Sequence, residues 1–292
     1  MALWFSSGAF NVTNVTGVLA EARELGIQGV ELSSGLKCSA EETKLLCAEH
    51  AAGNQRFLVH NYFPAPAKPF VLNVAALDQD SLHASMQLAR NALTLAQQLN
   101  APFYSVHAGF AARLRPEQLG KPQEQAASLS AADINRAEAY AAMIDNVREL
   151  ADFARPLGVD LLIENNVISP LYLEKMPINP LLLTEGREIC RFFDDLERDN
   201  VGLLLDVAHT RVSATALDFR PNDFIDQVFA KVRCLHLSDN NGREDSNQPF
   251  GADAWFVPRL AEFKHCEIVV EAYRLKPQIM LSQLEFLQRV CQ

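Results

Sequence analysis

Glu31, His60, His107, Glu164, Asp206, His236 and Glu271 each stand at or next to the end of a short apolar run with the character of a β-strand. The plainest case is the stretch VGLLLDVAH from Val201 to His209, where Val201, Leu203, Leu204 and Leu205 read as a strand buried on both faces and Asp206 falls at its carboxyl end. A buried sheet end strongly disfavours an unpaired carboxylate, whereas in barrel and open α/β folds the carboxyl ends of strands are where ligands and catalytic groups sit. Carboxylates and imidazoles gathered without matching Lys or Arg repel one another unless a divalent cation compensates. A mixed oxygen and nitrogen set suits Mn, Zn, Co or Mg better than Ca.

Each residue also has a purely structural reading. A lone histidine at a strand end is ordinarily a hydrogen-bonded structural residue, and it is the recurrence at successive strand ends that favours a site. Glu31 reads equally as an ion-pair partner or a helix cap. Asp239 and Arg243, in the polar run after the seventh strand, read equally as turn residues. His50, His83 and His265 lie in or beside helices, where they read as surface or packing groups.

The elements that must position these groups alternate regularly. Strands are expected at Leu3 to Ser6, Gln28 to Leu32, Phe57 to Val59, Phe103 to Val106, Val159 to Ile163, Val201 to Leu205, Val232 to Leu237 and Ile268 to Val270. Helices are expected from Asn14 to Leu25, stopped by Gly26, and from Ser39, with Glu41 and Glu42 in its first turn, to about Gly53. Others follow from Ser81 to Leu99, Ser130 to Phe153, Thr184 to Leu196, Phe224 to Ala230, Asp253 to Phe263 and Gln278 to the terminus. Pro64, Pro66 and Pro69 exclude a regular helix between Asn61 and Asp78, and Gly109 to Leu129 reads as a polar insertion. Repeated strand and helix units of this kind predict a single α/β domain over residues 1–292, a closed (β/α)8 TIM barrel.

With 292 residues and 49% hydrophobic content, the chain can bury a substantial core without a linker. The net charge of -10 argues against nucleic acid as the main partner, since phosphate binding relies on clustered Lys and Arg. No run approaches the roughly 18 consecutive apolar residues of a membrane helix. The six cysteines are scattered without a Cys-x-x-Cys pair, and the opening MALWFSSGAF lacks signal-peptide features, so a reducing, cytoplasmic location is expected.

Taken together, Glu164 in LLIENN, Asp206 and His209 in LLLDVAHT, His236 in CLHLSDNNGRED and Glu271 in IVVEAY resemble the xylose-isomerase-like TIM-barrel superfamily. That superfamily contains sugar and sugar-phosphate isomerases and epimerases, inosose dehydratases and DNA-repair enzymes of the endonuclease IV type. The resemblance covers most of the chain. It implies that Glu164, Asp206, His236 and Glu271 bind one divalent metal, and that the two glutamates also act as acid and base. The stretch HNYFPAPAKPFVLNVAALDQD and the later SVHAGF resemble the endonuclease branch, whose histidines matching His60 and His107 help bind a three-metal cluster. The loop after the seventh strand departs from that branch: an Asp-x-His pair is replaced by Asp245, Ser246 and Asn247, and an amide is a poor substitute for imidazole on zinc.

The resemblance implies a metal-dependent isomerase or epimerase of a small sugar or related polyhydroxy carbonyl compound, working by proton transfer through an ene-diolate. In this scheme Glu164 or Glu271 removes the proton next to the carbonyl and the other returns it, while His60, His107, His209 and Arg243 contact the substrate. The alternatives are a phosphodiesterase of the endonuclease IV type and a non-catalytic sugar-binding barrel, which metal stoichiometry separates.

Overall fold

Side chains two apart along a strand share a face, and this chain uses that period to stack two layers inside a barrel. The strands are β1 (Leu3–Ser6), β2 (Gly29–Leu32), β3 (Arg56–His60), β4 (Phe103–His107), β5 (Asp160–Glu164), β6 (Val201–Asp206), β7 (Val232–Leu237) and β8 (Glu267–Val270). They are parallel and closed in sequence order, with β8 pairing back onto β1. The structure is a computed structural model that describes residues 2–291.

Trp4, Leu58, Phe103, Leu162, Leu204, Cys234 and Val269 meet inside the barrel as one apolar cluster. Two residues further along the same strands come Ser6, His60, Ser105, Glu164, Asp206, His236 and Glu271, all buried. The interior is therefore packed hydrocarbon below and polar above, toward the carboxyl ends. In β2 the lower position is Gly29, where a Cβ would stand 2.6 Å from the Leu3 carbonyl oxygen and 2.8 Å from the Trp4 ring. Its missing side chain leaves room for the indole, and Glu31 joins the upper layer. The opposite strand faces, among them Val59, Val106, Ile163, Leu205 and Val270, pack with the helices in the main core.

The helices are α1 (Val15–Glu24), α2 (Ala40–Ala51), α3 (Gln79–Gln98), α4 (Pro122–Ser128), α5 (Arg136–Ala154), α6 (Pro170–Leu173), α7 (Gly186–Leu196), α8 (Val207–Leu217), α9 (Pro221–Val228) and α10 (Pro277–Val290). Side-chain caps set several starts: Asn14 for α1, Ser39 with Glu42 in a capping box for α2, and Asp78 for α3.

Three expectations are corrected. The helix expected from Ser130 begins at Arg136, because Asn135 provides the cap and residues 131–133 form a separate 3-10 turn. The segment expected as a helix from Asp253 to Phe263 is a set of turns followed by the 3-10 helix Val257–Phe263, with Pro258 in its first turn. Helix α8 has no counterpart among the elements expected from the sequence. It leaves β6 with no intervening turn, Asp206 itself serves as its cap, and Val207, Ala208, Thr210, Val212 and Ala214 are buried on several sides, so it shows little amphipathic period.

Two long loops are tied together over the carboxyl ends. Asn73 donates to the Phe110 carbonyl at 2.9 Å and accepts from the Phe110 N–H at 3.0 Å, joining the loop after β3 to the insertion after β4. Gly109 permits that approach, since a Cβ there would lie 2.2 Å from the Ala75 Cβ. Among the described residues no helix is long and apolar enough to cross a membrane, and the six cysteines are free.

Candidate metal centre

Strand register brings His107 opposite Glu164 and Asp206 opposite His236, the latter after a register shift between Leu203 and Leu204. Glu164, Asp206, His236 and Glu271 each offer one ligand atom, and these atoms all lie within 4.8 Å of one another. His236 is the hub: its Nδ1 lies 2.8 Å from Glu271 Oε2 and 3.7 Å from Glu164 Oε1, and its Nε2 lies 2.9 Å from Glu31 Oε1. With a proton on Nε2 donated to Glu31, a lone pair at Nδ1 faces two carboxylates, which is the arrangement of a metal-binding histidine steered by an outer carboxylate.

Both carboxylate oxygens of Glu164, one of Asp206 and Nδ1 of His236 are buried without a hydrogen-bond partner. Buried polar groups are ordinarily satisfied. Four orphaned atoms on the same three side chains, with a second buried glutamate beside them, fit a divalent cation.

The remaining histidines ring this group. His60 Nδ1 is 3.0 Å from Ser105 Oγ and its Nε2 is 3.5 Å from Glu164 Oε2. His107 Nδ1 is 3.3 Å from the same Glu164 oxygen, with its side chain 36% exposed and so accessible from outside the barrel. Ligand atoms of His60, His107 and Glu164 also come within 4.8 Å of one another. His209 donates from Nδ1 to the Asn165 carbonyl at 2.8 Å if its proton is there, leaving Nε2 3.2 Å from Asp245 Oδ2.

Burial drives the carboxylates of Glu164 and Asp206 upward, Glu164 well above the ordinary range and Asp206 to about 7. Glu271 moves the other way: burial opposes ionisation, but the charge of His236 above all, with His60 and His209 beyond, holds it below the ordinary range. Burial also opposes charge on His236 and His209, yet Glu271 and Glu31 raise the first and Asp206 and Asp245 raise the second. In the metal-free protein a proton on His236 thus answers the negative charge. His60 is pushed down to about 3 by burial and by His236, and His107 well below the imidazole range by burial and by His209, so both are neutral donors of a lone pair.

Two asparagines brace the centre, and neither is among the site residues expected from the sequence. The Asn165 side chain accepts from the Asp206 N–H at 2.8 Å and donates to the Asp206 carbonyl at 3.2 Å. The Asn166 amide donates toward the carbonyls of Ala108, Gly109 and Leu182, at 2.9, 3.0 and 2.9 Å. A pair of amides directly after a strand ending in an acid is the available signal, since buried amides need several partners. Asn247 is similarly engaged, donating to the Glu271 carbonyl at 3.2 Å.

A cavity of about 800 Å³ opens above this centre and reaches His107, His209, Asp245 and Glu271. Arg243 is not brought there. Its exposed guanidinium pairs with Glu174 at 3.1 Å, outside the cavity lining. Asp239 is engaged with Arg211 and the Asn240 N–H.

The sequence matches a family model described as xylose isomerase-like TIM barrel over residues 19–289. The chain belongs to this family. Similar solved structures include a D-tagatose 3-epimerase-like protein, 17% identical with a TM-score of 0.73, covering 99% of this chain and 97% of that one. A D-psicose 3-epimerase from Clostridium cellulolyticum, solved with D-tagatose, is 15% identical with a TM-score of 0.72 over 100% of both chains. A protein from Thermus thermophilus, solved after soaking with ZnCl2, is 20% identical with a TM-score of 0.64 over 99% of this chain and 98% of that one. Comparison with curated proteins gives no match. At these identities the shared feature is the fold, and the family's members carry different activities on it.

Proposed function

We propose that this chain is a divalent-metal-dependent epimerase or isomerase of a keto sugar or related polyhydroxy carbonyl compound. The observation that carries this reading is the pair Glu164 and Glu271, both buried and brought together beside His236, with both carboxylate oxygens of Glu164 left without a hydrogen-bond partner. Glu164, Asp206, His236 and Glu271 would hold the cation. When bound, it supplies a Lewis acid that polarises a carbonyl and steadies the charge left by loss of a neighbouring C–H proton.

The chain's own residues supply the rest. One glutamate takes the proton from the carbon and the other returns one, a role that needs a carboxylate within hydrogen-bond reach of that carbon. Glu31 fixes the orientation of His236, and Asn165 holds the Asp206 backbone. His107 and His209, which line the cavity, are placed to bind substrate oxygens, and His60 supports the arrangement from behind Glu164.

Turnover of a panel of ketoses in deuterated water, with Mn and after chelation, tests the proposal. Metal-dependent deuterium incorporation at the carbon next to the carbonyl is the expected result. Product formed at full rate without deuterium would favour a hydride shift or a shielded transfer.

The grouping of His60, His107 and Glu164 favours a second reading, a phosphodiesterase of the endonuclease IV type with more than one ion. Asn247 in the loop after β7, engaged with a backbone carbonyl, and the net charge of -10 speak against it. Metal-dependent incision of abasic-site DNA, abolished by His107→Ala, would reverse the ranking.

A further inference from the structure

Of the four residues proposed to hold the cation, Glu271 alone lines the cavity, while Glu164, Asp206 and His236 are fully buried below it. Its two oxygens face different neighbours. Oε2 lies 2.8 Å from His236 Nδ1, on the side of the other ligands, and Oε1 accepts from the Tyr273 hydroxyl at 3.4 Å. A carboxylate that both ligates a metal and moves a proton is best served by keeping the two roles on separate oxygens, since a lone pair given to a cation is not available to a C–H bond.

The chain around Tyr273 fixes its place. The loop after β7 grips this segment at two points: the Asn247 side-chain amide donates to the Glu271 carbonyl at 3.2 Å, and the Asn247 carbonyl accepts from the Tyr273 N–H at 2.9 Å. From the turn after β1, the Gly8 and Ala9 carbonyls accept from the Arg274 and Leu275 N–H groups at 2.9 and 2.8 Å. The tyrosine ring packs against Gly8, where a Cβ would stand 3.0 Å from two ring carbons. Tyr273 is 51% exposed and lines the cavity, so water could serve its hydroxyl, yet this bracing directs the hydroxyl at a buried carboxylate.

We propose that Tyr273 is a positioning residue for the proton transfer, its hydroxyl holding Oε1 of Glu271 toward the cavity. Oε1 is then the oxygen that exchanges a proton with the substrate, and Oε2 is left to the cation. As the C–H bond breaks, its proton passes to Oε1 and its electron pair stays on the substrate, delocalised into the neighbouring carbonyl. The tyrosine hydroxyl keeps its own proton and occupies one lone pair of Oε1, so a second stays open to the substrate carbon. This rests on the reading of the metal centre as an epimerase or isomerase site. It acts on one glutamate only, because neither oxygen of Glu164 has a hydrogen-bond partner.

The test compares wild type, Tyr273→Phe, Glu271→Gln and the double variant on free ketohexoses and ketopentoses in deuterated water, each protein at saturating Mn with metal content and melting temperature measured. Tyr273→Phe keeps the ring against Gly8 and deletes only the hydroxyl, so folding and Mn affinity are expected to stay at the wild-type level. Its kcat is expected to fall about tenfold, as for loss of a hydrogen bond to a charged group, while KM stays within about twofold. In the Glu271→Gln background there is no carboxylate for the hydroxyl to orient, so adding Tyr273→Phe is expected to cause no further loss of turnover or deuterium exchange. An unchanged kcat, a rise in KM at unchanged kcat, or an equal loss in the Glu271→Gln background overturns the proposal. Wild-type turnover that Tyr273→Phe leaves intact sinks this proposal alone, whereas no turnover or exchange of any ketose by the Mn-loaded wild type sinks the epimerase reading and this proposal with it.

Discussion

Glu31 Oε1 and His236 Nε2 lie 2.9 Å apart, and both side chains are fully buried. Burial raises the Glu31 carboxyl above its ordinary range while His236 pulls it back, so the pair is stable only as a pair. Its effect is to orient one imidazole and assign its proton. Glu31→Gln keeps the shape but loses the charge that makes His236 a strong donor. Metal affinity is expected to fall about 10–100-fold, the usual cost of losing an outer partner of a metal-binding histidine. Competition against a chelating dye measures it, and unchanged affinity would reduce Glu31 to a packing role.

Asp206 sets a second expectation, in which stability and binding move in opposite directions. Its carboxyl, at about 7 in the metal-free fold against an ordinary 3.8, favours folding in its protonated form. That contribution is complete below about pH 4 and is lost as pH rises through 7, so the metal-free protein should weaken over this window. Asp206→Asn keeps the acceptor that caps α8, where Asp206 Oδ1 takes the His209 N–H at 2.7 Å, and removes the titration. At pH 8 the metal-free variant should melt about 3 to 6 °C above the wild type, yet bind metal far more weakly. In the wild type, metal affinity should fall about tenfold per pH unit below 7 for each proton displaced. Melting curves and metal titrations across pH 5–8 test both signs.

Much of this centre was legible in the sequence because burial and charge conflict there. An acid such as Asp206 closing the run VGLLLD has few structural uses, and its repetition at Glu164 and Glu271 revealed the barrel's polar end. The two-residue step from Leu58 to His60, Leu162 to Glu164 and Cys234 to His236 is also present in the sequence, and it explains why these groups share one interior face. Helix α8 was hidden because a helix buried on several sides loses its period. The course of Arg243 toward Glu174 depends on α6, a four-residue turn inside a Pro-rich loop, and no local pattern specifies such a contact. The bracing by Asn165 and Asn166 joins strands far apart in sequence, so composition gave their residue types but not their partners.

Gly109 links the loops over the centre to its accessibility. A Cβ at this position would meet the Ala75 Cβ at 2.2 Å and the Ala75 nitrogen at 2.7 Å, so backbone must shift. Gly109→Ala is expected to cost about 1–3 kcal/mol in denaturant unfolding, the usual range for overpacking a close contact. The displaced insertion carries Phe110 and Leu119 of the cavity lining, so substrate KM should rise more than kcat falls. An unaltered unfolding midpoint would mean that the two loops do not hold one another.

The two glutamates of the proposed acid and base pair should not respond identically to loss of charge. Glu164 ends β5 and Glu271 follows β8, three strands apart around the closed barrel, so they approach a substrate held between them from different sides. Glu164→Gln and Glu271→Gln keep side-chain volume, and each should lower turnover by roughly two or more orders of magnitude, as for a positioned general base. Each variant should nevertheless still exchange the proton on the face served by the remaining glutamate, giving deuterated substrate without inverted product. Because both residues are also expected metal ligands, the comparison is made at saturating Mn with the metal content of each variant measured alongside. Loss of exchange in both variants at full metal loading would mean that one glutamate serves both faces or that neither is the base. Full activity in both would remove the acid and base roles altogether.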